Sequence, residues 1–175
     1  MGVHDSARRA IAKFYFDYRD YLDSVKVADM GALNINGATK DIIGHCVGFD
    51  IVEGSGVDVV INPGFIPDEH KGRYGAVISA NSFVFCPDPV MYKKQIIDLL
   101  APNGLLFLIT CSEKCRNKHT TSDNRYGFQD SFRVTLRDLE NFFSVEFDIL
   151  EVGEMNYAHS DYVLLGRLKD SVSAG

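Results

Sequence analysis

The sequence predicts an α/β fold in which a doubly wound, mostly parallel sheet ends in an antiparallel hairpin. Short apolar runs alternate with helical patterns along most of the chain, and the last two runs are joined by a turn-rich stretch. Apolar runs of this kind, without polar alternation, are typical of strands that helices cover on both faces. The order of the elements therefore predicts the fold class before any single residue is considered.

The chain begins with a pattern typical of an amphipathic helix. Apolar residues recur at helical spacing from Ser6 to about Leu22, and Asp5 or Ser6 is available as the N-cap. One face of this helix carries the aromatic residues Phe14, Tyr15 and Tyr18. These residues are predicted to pack on the sheet, and the alternative is that some of them line a ligand pocket.

Seven apolar runs follow and predict the strands. The first five are residues 25–30, 46–51, 57–61, 76–80 and 105–110, and the last two are 145–152 and 162–168. A crossover helix is predicted over 87–100, because it starts with Pro-Asp-Pro and ends before Pro-Asn-Gly. A later helix is predicted at about 135–143.

Length and charge limit the classes of function. The 175 residues, 46% of them hydrophobic, fit one domain, predicted over 1–170 with a frayed tail at 171–175. The net charge of −6 disfavours a nucleic-acid partner, since such binders usually carry a basic face. No apolar run is long enough to cross a membrane and no signal peptide is evident, so we expect no membrane partner and a cytoplasmic location.

The cysteines do not predict a disulfide framework or a metal site. The chain has four of them, scattered through a sequence with ample core, and they are expected to be reduced. Cys111, Cys115 and His119 would align on one face of a continuous helix. That stretch follows a predicted strand, is rich in loop-forming residues and lacks an evident fourth ligand, so no metal is predicted.

The loops after the first two strands carry the strongest ligand signal. Gly31 directly follows the first strand and permits a tight turn with close approach of the backbone to a ligand. A dinucleotide site would need further glycines where Leu33 and Asn36 stand, which argues against NAD or FAD. Asp50 ends the second strand, 21 residues after Asp29, where an acid can accept hydrogen bonds from both ribose hydroxyls. An adenosine ligand without a pyrophosphate satisfies these observations.

These loops belong to segments that resemble small class I S-adenosylmethionine-dependent methyltransferases of the methyltransferase-11 type, which have a Rossmann-like sheet. The resemblance extends from about residue 25 to residue 168. It rests on the segments VADMGALNINGATKDI, VGFDIVEGSGVDVVI, YGAVISANSFVFCPDP and LLAPNGLLFLIT. The resemblance implies S-adenosylmethionine as the cofactor, with Asp50 at its ribose. Its methionine end would be held by Asp29 and Gly31, with Asn36 and Gly37 completing the loop.

Other positions depart from the family pattern. Asn62 stands where an acid usually contacts the adenine amino group, and its amide carbonyl could accept the same bond, with Phe65 bordering the ring. Asn81 stands near the methionine end in place of a glutamate, and Val84 and Phe85 replace a Glu-His pair. The absence of that pair raises the alternative of a catalytically silent fold that binds the cofactor or a partner protein.

The resemblance places two residues on the acceptor side. His119, in KHTT, matches a family His-Gly-Thr segment, and Arg133, in FRVT, matches an aromatic-Arg-x-x-Thr segment. His119 could be a general base for a hydroxyl acceptor or a solvated loop residue. The basic stretch of Lys114, Arg116, Lys118, Arg125 and Arg133 would favour an anionic acceptor if it rims the pocket.

The predicted function is therefore methyl transfer to a hydroxyl or carboxylate of a small molecule or glycan. Methylation of nucleobases is disfavoured, because the chain has no Asn-Pro-Pro-Tyr type segment. The first alternative is the silent fold, and the second is a nucleotide-dependent oxidoreductase.

Overall fold

A computed structural model describes residues 5–35, 37–115, 129–155 and 160–172. The helices are α1 (Asp5–Asp17), α2 (Arg19–Leu22), α3 (Pro89–Leu99) and α4 (Leu136–Phe143). The strands are β1 (Val27–Met30), β2 (Val47–Asp50), β3 (Val59–Val60), β4 (Tyr74–Ala80), β5 (Leu100–Cys111), β6 (Phe147–Glu154) and β7 (Asp161–Leu168). Short 3₁₀ turns occupy Thr39–Asp41, Asp68–His70 and Phe83–Phe85.

The seven strands form one sheet in the order β3-β2-β1-β4-β5-β7-β6. The first five pair in parallel, and β7 is antiparallel to both β5 and β6. The predicted doubly wound sheet with a C-terminal antiparallel hairpin is therefore confirmed. β1 and β4 are buried at every position, as expected for central strands with helices or loops on both faces.

Two hydrophobic cores lie on opposite faces of the sheet. On one face α3 and α4 pack their apolar residues, such as Ile96 and Phe143, against the strands. On the other face α1 packs Ile11 and Phe14, and the Phe14 ring stacks on Phe107 with 4.4 Å between the ring centroids. The sheet-packing interpretation of the aromatic face is thus confirmed for Phe14.

The structure differs from the sequence-based boundaries at several points. The first predicted helix is divided, because Tyr18 has non-helical backbone angles (φ −117°, ψ 21°) between α1 and α2. The Pro-Asn-Gly segment, predicted as a turn before the fifth strand, lies inside β5 as an irregularity in which Asn103 is left-handed (φ 60°). Val172, in the predicted tail, packs against the α3–α4 core.

The helical alignment considered for Cys111, Cys115 and His119 does not form in the described part of the chain. Cys111 ends a strand and Cys115 follows a turn, while residues 116–128, and hence His119, lie outside the described residues. None of the described helices is long and apolar enough to cross a bilayer.

Candidate functional site

The carboxyl ends of the central strands border one cleft. β2, β1 and β4 are adjacent and parallel, so their carboxyl ends lie at the same edge of the sheet. Together with the first turns of α3 they enclose a cavity of about 130 Å³ with mostly apolar walls. Its lining residues are Met30, Gly31, Asp50, Ile51, Ile61, Pro63, Ser82, Phe85, Cys86, Pro87, Met91, Tyr92 and Gln95. An apolar cleft with a few polar groups is typical of a small-molecule site.

The turn after β1 requires glycine for two reasons. Gly31 has φ +86°, a left-handed conformation that side chains disfavour. A Cβ atom there would lie 2.2 Å from the Cβ atom of Ser82. The predicted tight turn is present, and the group that approaches Gly31 in the protein is Ser82 at the end of β4.

A cluster of hydroxyl groups lies beside this turn. The Tyr92 hydroxyl is 2.9 Å from Ser79 Oγ and 2.6 Å from Ser82 Oγ. Ser82 Oγ donates to the backbone carbonyl of Met30 at 2.9 Å. Burial raises the pKa of Tyr92 above its usual value, so its phenol keeps its proton and remains a donor. The cluster ties α3 and the end of β4 to the turn after β1.

Asp50 ends β2 and is 7% exposed. Its Oδ2 atom accepts a hydrogen bond from the Leu33 backbone N–H at 3.0 Å, and its Oδ1 atom accepts one from Val52 at 3.2 Å. These two bonds fix the orientation of the carboxylate. A carboxylate has about four acceptor positions, so capacity remains for donors from a ligand in the cleft.

Asp29 lies on β1 beneath the same loop but is not a lining residue of the cleft. Burial raises the pKa of its carboxyl to about 6, because desolvation disfavours the charged form; the Asp50 carboxylate adds to this rise and the nearby Thr39 hydroxyl opposes it. The two acids are therefore close enough to influence each other, but only Asp50 lines the cleft.

The rest of the predicted methionine loop is ordered by local contacts. Gly37 has φ +130°, and its N–H donates to the Asn34 side-chain oxygen at 2.9 Å. Asn36 lies outside the described residues. Gly37 is not a lining residue of the cleft.

The two residues predicted at the adenine lie at the rim. Asn62 and Phe65 both follow β3, their side chains are exposed, and neither is a lining residue of the cavity. The Phe65 side chain is 53% exposed. The wall below them is formed by Ile61, Pro63 and Gln95.

Asn81 lies next to the lining residue Ser82. It follows β4 in a left-handed conformation (φ 58°) that asparagine tolerates better than most residues. Its side chain is 4% exposed and lies 4.0 Å from Cys111 Sγ through Oδ1. It is not a lining residue of the cleft.

Arg133 lies in a segment that packs beside the cleft. The Ser131 N–H donates to the Val84 carbonyl at 2.8 Å, and this bond anchors the segment to the 3₁₀ turn that carries Phe85. The Arg133 guanidinium forms an ion pair with Asp130, and both side chains are at most 10% exposed. Arg133 is thus near the cleft but is not a lining residue.

The described part of the basic stretch is paired with acids. Lys114 Nζ lies 2.6 Å from Glu154 Oε2, and Arg133 pairs with Asp130. Arg116, Lys118 and Arg125 lie outside the described residues.

α3 contributes lining residues that are not among those predicted from the sequence. Met91 and Gln95 are spaced i, i+4, so they share a face of the helix that opens onto the cleft. That spacing was available in the sequence, but both residues also fit an ordinary buried helix face. Ser82 was missed because its partner Gly31 is 51 residues earlier in the chain.

The topology runs against the oxidoreductase alternative. A dinucleotide-binding sheet has the strand order 3-2-1-4-5-6 with glycines in the first turn. Here β7 is inserted antiparallel between β5 and β6, and Leu33 occupies the second glycine position with its N–H bonded to Asp50.

Comparisons with known proteins agree with this topology. No family model matches the chain, and no curated protein matches it in sequence. Among solved structures, the chain resembles Burkholderia thailandensis 1,6-didemethyltoxoflavin-N1-methyltransferase, determined with 1,6-didemethyltoxoflavin and S-adenosylhomocysteine. The TM-score is 0.63 at 14% identity, covering 97% of this chain and 92% of that one.

Two further structures show the same likeness. A SAM-dependent methyltransferase from Methanosarcina mazei has a TM-score of 0.65 at 13% identity, over 87% of this chain and 97% of that one. The N-methyltransferase NodS from Bradyrhizobium japonicum WM9 has a TM-score of 0.63 at 11% identity, over 93% and 96% of the two chains. The strand order, the antiparallel hairpin and these likenesses together show that the chain has the class I S-adenosylmethionine-dependent methyltransferase fold.

Proposed function

We propose that the protein binds S-adenosylmethionine and transfers its methyl group to a hydroxyl or carboxylate of a small molecule or glycan. The observation that carries this proposal is the oriented Asp50 carboxylate, which lines an apolar cleft beside the Gly31 turn. Both features lie where ligands bind in doubly wound sheets, at the carboxyl ends of the strands.

The charges around the cleft suit this cofactor. None of the described lining residues is a lysine, an arginine or a histidine, and Asp50 contributes a negative charge. The negatively charged pyrophosphate of a dinucleotide would therefore meet no cation in the cleft. S-adenosylmethionine instead carries a sulfonium and an ammonium group, which are positively charged. The apolar side chains of Ile51, Ile61 and Met91 offer surfaces for an adenine ring.

The protein's part in the reaction is to bind, orient and exclude water. The chemistry that S-adenosylmethionine supplies when bound is a methyl group already activated on a sulfonium, so positioning of the acceptor accounts for much of the acceleration. Asp50 would hold the ribose hydroxyls, Asp29 and Gly31 would hold the methionine end with Asn36 and Gly37, and Asn81 would stand near that end. Asn62 and Phe65 would border the adenine from the rim.

His119 and Arg133 are the residues proposed to act on the methyl acceptor. A hydroxyl acceptor gains from a general base, the role proposed for His119. A carboxylate acceptor is already ionised, and Arg133 could orient it through paired hydrogen bonds. Because Asp130 already pairs with Arg133, the acceptor would have to share the guanidinium with that acid.

Arg133 and Asn81 already interact with other residues of the protein. This favours one alternative, a catalytically silent fold that binds the cofactor or a partner. Arg133 is paired with Asp130, and the Asn81 side chain contacts Cys111 and does not line the cleft. In such a protein cofactor binding would persist without turnover.

Cofactor binding is tested by calorimetry and by mass spectrometry of the purified protein. We expect co-purified S-adenosylmethionine or its demethylated product; a co-purified NAD would contradict the proposal. Asp50→Ala should weaken S-adenosylmethionine binding by roughly 1.5–3 kcal/mol, the range for hydrogen bonds to a charged group. Asp68→Ala, which removes an exposed acid outside the cleft, serves as the control and should bind normally. Equal affinities of wild type and Asp50→Ala would remove Asp50 from the site.

Turnover is tested on the acceptor-side residues with labelled cofactor and pools of sugars, acids and peptides. For a hydroxyl acceptor, His119→Ala should keep cofactor affinity but lose on the order of 10²–10⁴ in rate. For a carboxylate acceptor, Arg133→Ala should raise the Michaelis constant of the acceptor, while the exposed Arg137→Ala control should not. Cofactor binding without labelled product from any pool would favour the silent fold.

A further inference from the structure

Gln95 presents an amide group to the cleft from the middle of α3. The residue is 2% exposed, yet it lines the cavity one helical turn after Met91. A buried amide needs hydrogen-bond partners for both its nitrogen and its oxygen. The partners that Gln95 has therefore indicate what it can still bind.

The orientation of this amide is set by the loop after β3. Gln95 Nε2 lies 3.2 Å from the backbone carbonyl of Asn62 and 3.4 Å from that of Phe65. Carbonyl oxygens only accept hydrogen bonds, so the NH₂ group must face them and the oxygen must face elsewhere. No donor among the described residues bonds Gln95 Oε1. The side chain thus holds the loop with its nitrogen and keeps an acceptor for the cleft.

The described lining residues on the same side of the cavity as Gln95 offer no other side-chain acceptor. Ile61 and Pro63 line the same side of the cavity and have no polar side-chain atom, and proline also lacks a backbone N–H. The Asn62 side chain, the acceptor that the sequence analysis predicted, is exposed and is not part of the lining.

We propose that Gln95 is the residue that selects the purine, accepting a hydrogen bond from the exocyclic 6-amino group of adenine. This inference rests on the proposed function, since it concerns the adenosine end of S-adenosylmethionine. A 6-oxopurine would place an oxygen against Gln95 Oε1. Turning the amide to avoid that contact would break both bonds from Nε2 to the loop, so the site should reject the oxo ring.

The test is the binding preference between S-adenosylhomocysteine and S-inosylhomocysteine, measured by calorimetry on purified protein. Wild type should prefer the adenosine compound by roughly ten- to a hundredfold, as expected when a buried acceptor loses its donor. Gln95→Met keeps the length of the side chain but removes the acceptor, so the ratio of the two affinities should fall to near one. Gln95→Glu keeps an oxygen acceptor but loses the donors to the loop. It should bind both compounds more weakly and retain the preference.

Asp68→Ala, an exposed position outside the cleft, is the control and should leave the preference unchanged. Asn62→Ala tests the rival acceptor and should keep the preference, because its backbone carbonyl still receives Gln95 Nε2. Thermal unfolding of each variant identifies any that fails to fold. The comparison of the two compounds on wild-type protein tests the proposal even if no variant folds. Equal wild-type affinity for the two compounds would overturn the assignment of Gln95 and leave the proposed function intact. A preference lost in Asn62→Ala and kept in Gln95→Met would also overturn it. Binding of neither compound would overturn the proposed function itself.

Discussion

Asp29 and Asp50 are neighbouring acids that differ in their contacts and in their access to the cleft. Asp50 accepts two backbone N–H bonds at the edge of a cleft. Asp29 does not line the cleft, and burial raises the pKa of its carboxyl to about 6. The family resemblance implies that both acids hold one cofactor, and the position of Asp50 in the lining suits it for direct contact.

The raised pKa of Asp29 predicts a pH dependence of stability. Between about pH 4 and pH 6 the folded protein keeps a proton that the unfolded chain has already released. The contribution of Asp29 to the free energy of unfolding is therefore fully present below pH 4 and is lost as the pH rises through 6. A shift of this size corresponds to about 3 kcal/mol in total.

Asp29→Asn should remove this dependence, because an amide does not titrate. The stability of the variant relative to wild type, from urea unfolding at several pH values, should rise by up to about 3 kcal/mol between pH 4 and pH 7. Asp20→Asn, at an exposed position on α2, should show no such trend. A constant difference between Asp29→Asn and wild type across this range would contradict the prediction.

At the scale of elements, the junction between the ends of β1 and β4 organises the cleft. Gly31 and Ser82 are packed so closely that a single added carbon would overlap. Ser82 also donates to the Met30 carbonyl, so the two strand ends are joined by both packing and hydrogen bonding. A side chain at position 31 would therefore disturb the sheet edge as well as the approach of a ligand.

Gly31→Ala should destabilise the protein by about 2 kcal/mol or more, because it combines overlap with a disfavoured left-handed conformation. Adding Ser82→Gly should recover part of this loss, since it removes the atoms that the new Cβ atom meets. Chemical denaturation of the two single variants and the double variant measures the coupling. Strictly additive effects would mean that the close contact does not exist in solution.

At the scale of the whole molecule, Lys93 joins α3 to the C-terminal half of the chain. It is 8% exposed, and its Nζ atom lies 2.6 Å from Glu146 Oε2 and 2.9 Å from the Phe142 carbonyl. The same ammonium stands 4.2 Å from the centre of the Phe142 ring. One side chain thus connects the helix that lines the cleft with the end of α4.

Lys93→Met should lower the free energy of unfolding by roughly 2–3 kcal/mol, because it leaves Glu146 without its cation in a half-buried site. The double variant Lys93→Met with Glu146→Gln should be more stable than Lys93→Met alone, since no unpaired charge remains. Lys13→Met on α1, where both the lysine and its partner Asp17 are exposed, is the control and should cost less. Equal losses for the two lysine variants would contradict the connecting role of Lys93.

Local sequence patterns are enough to predict the strands and the later helices in their chain order. Buried parallel strands appear as uninterrupted apolar runs, and α3 is marked by Asp88, which caps it by accepting from Val90 and Met91 at 3.0 Å each. Asp50 could be placed at a strand end for the same reason, since strand ends follow from local patterns. These features depend on residues that are close together in the chain.

The set of residues that lines the cleft depends on long-range packing. Ser82 meets Gly31, and Gln95 meets the loop at Asn62, only because the parallel sheet brings the ends of separate strands and the start of α3 to one edge. The same packing turned Asn81 toward Cys111 and left Asn62 at the rim. Contacts between residues 30 or more positions apart have no local signature, because side-chain direction and hydrogen-bond choice depend on neighbours that folding alone supplies.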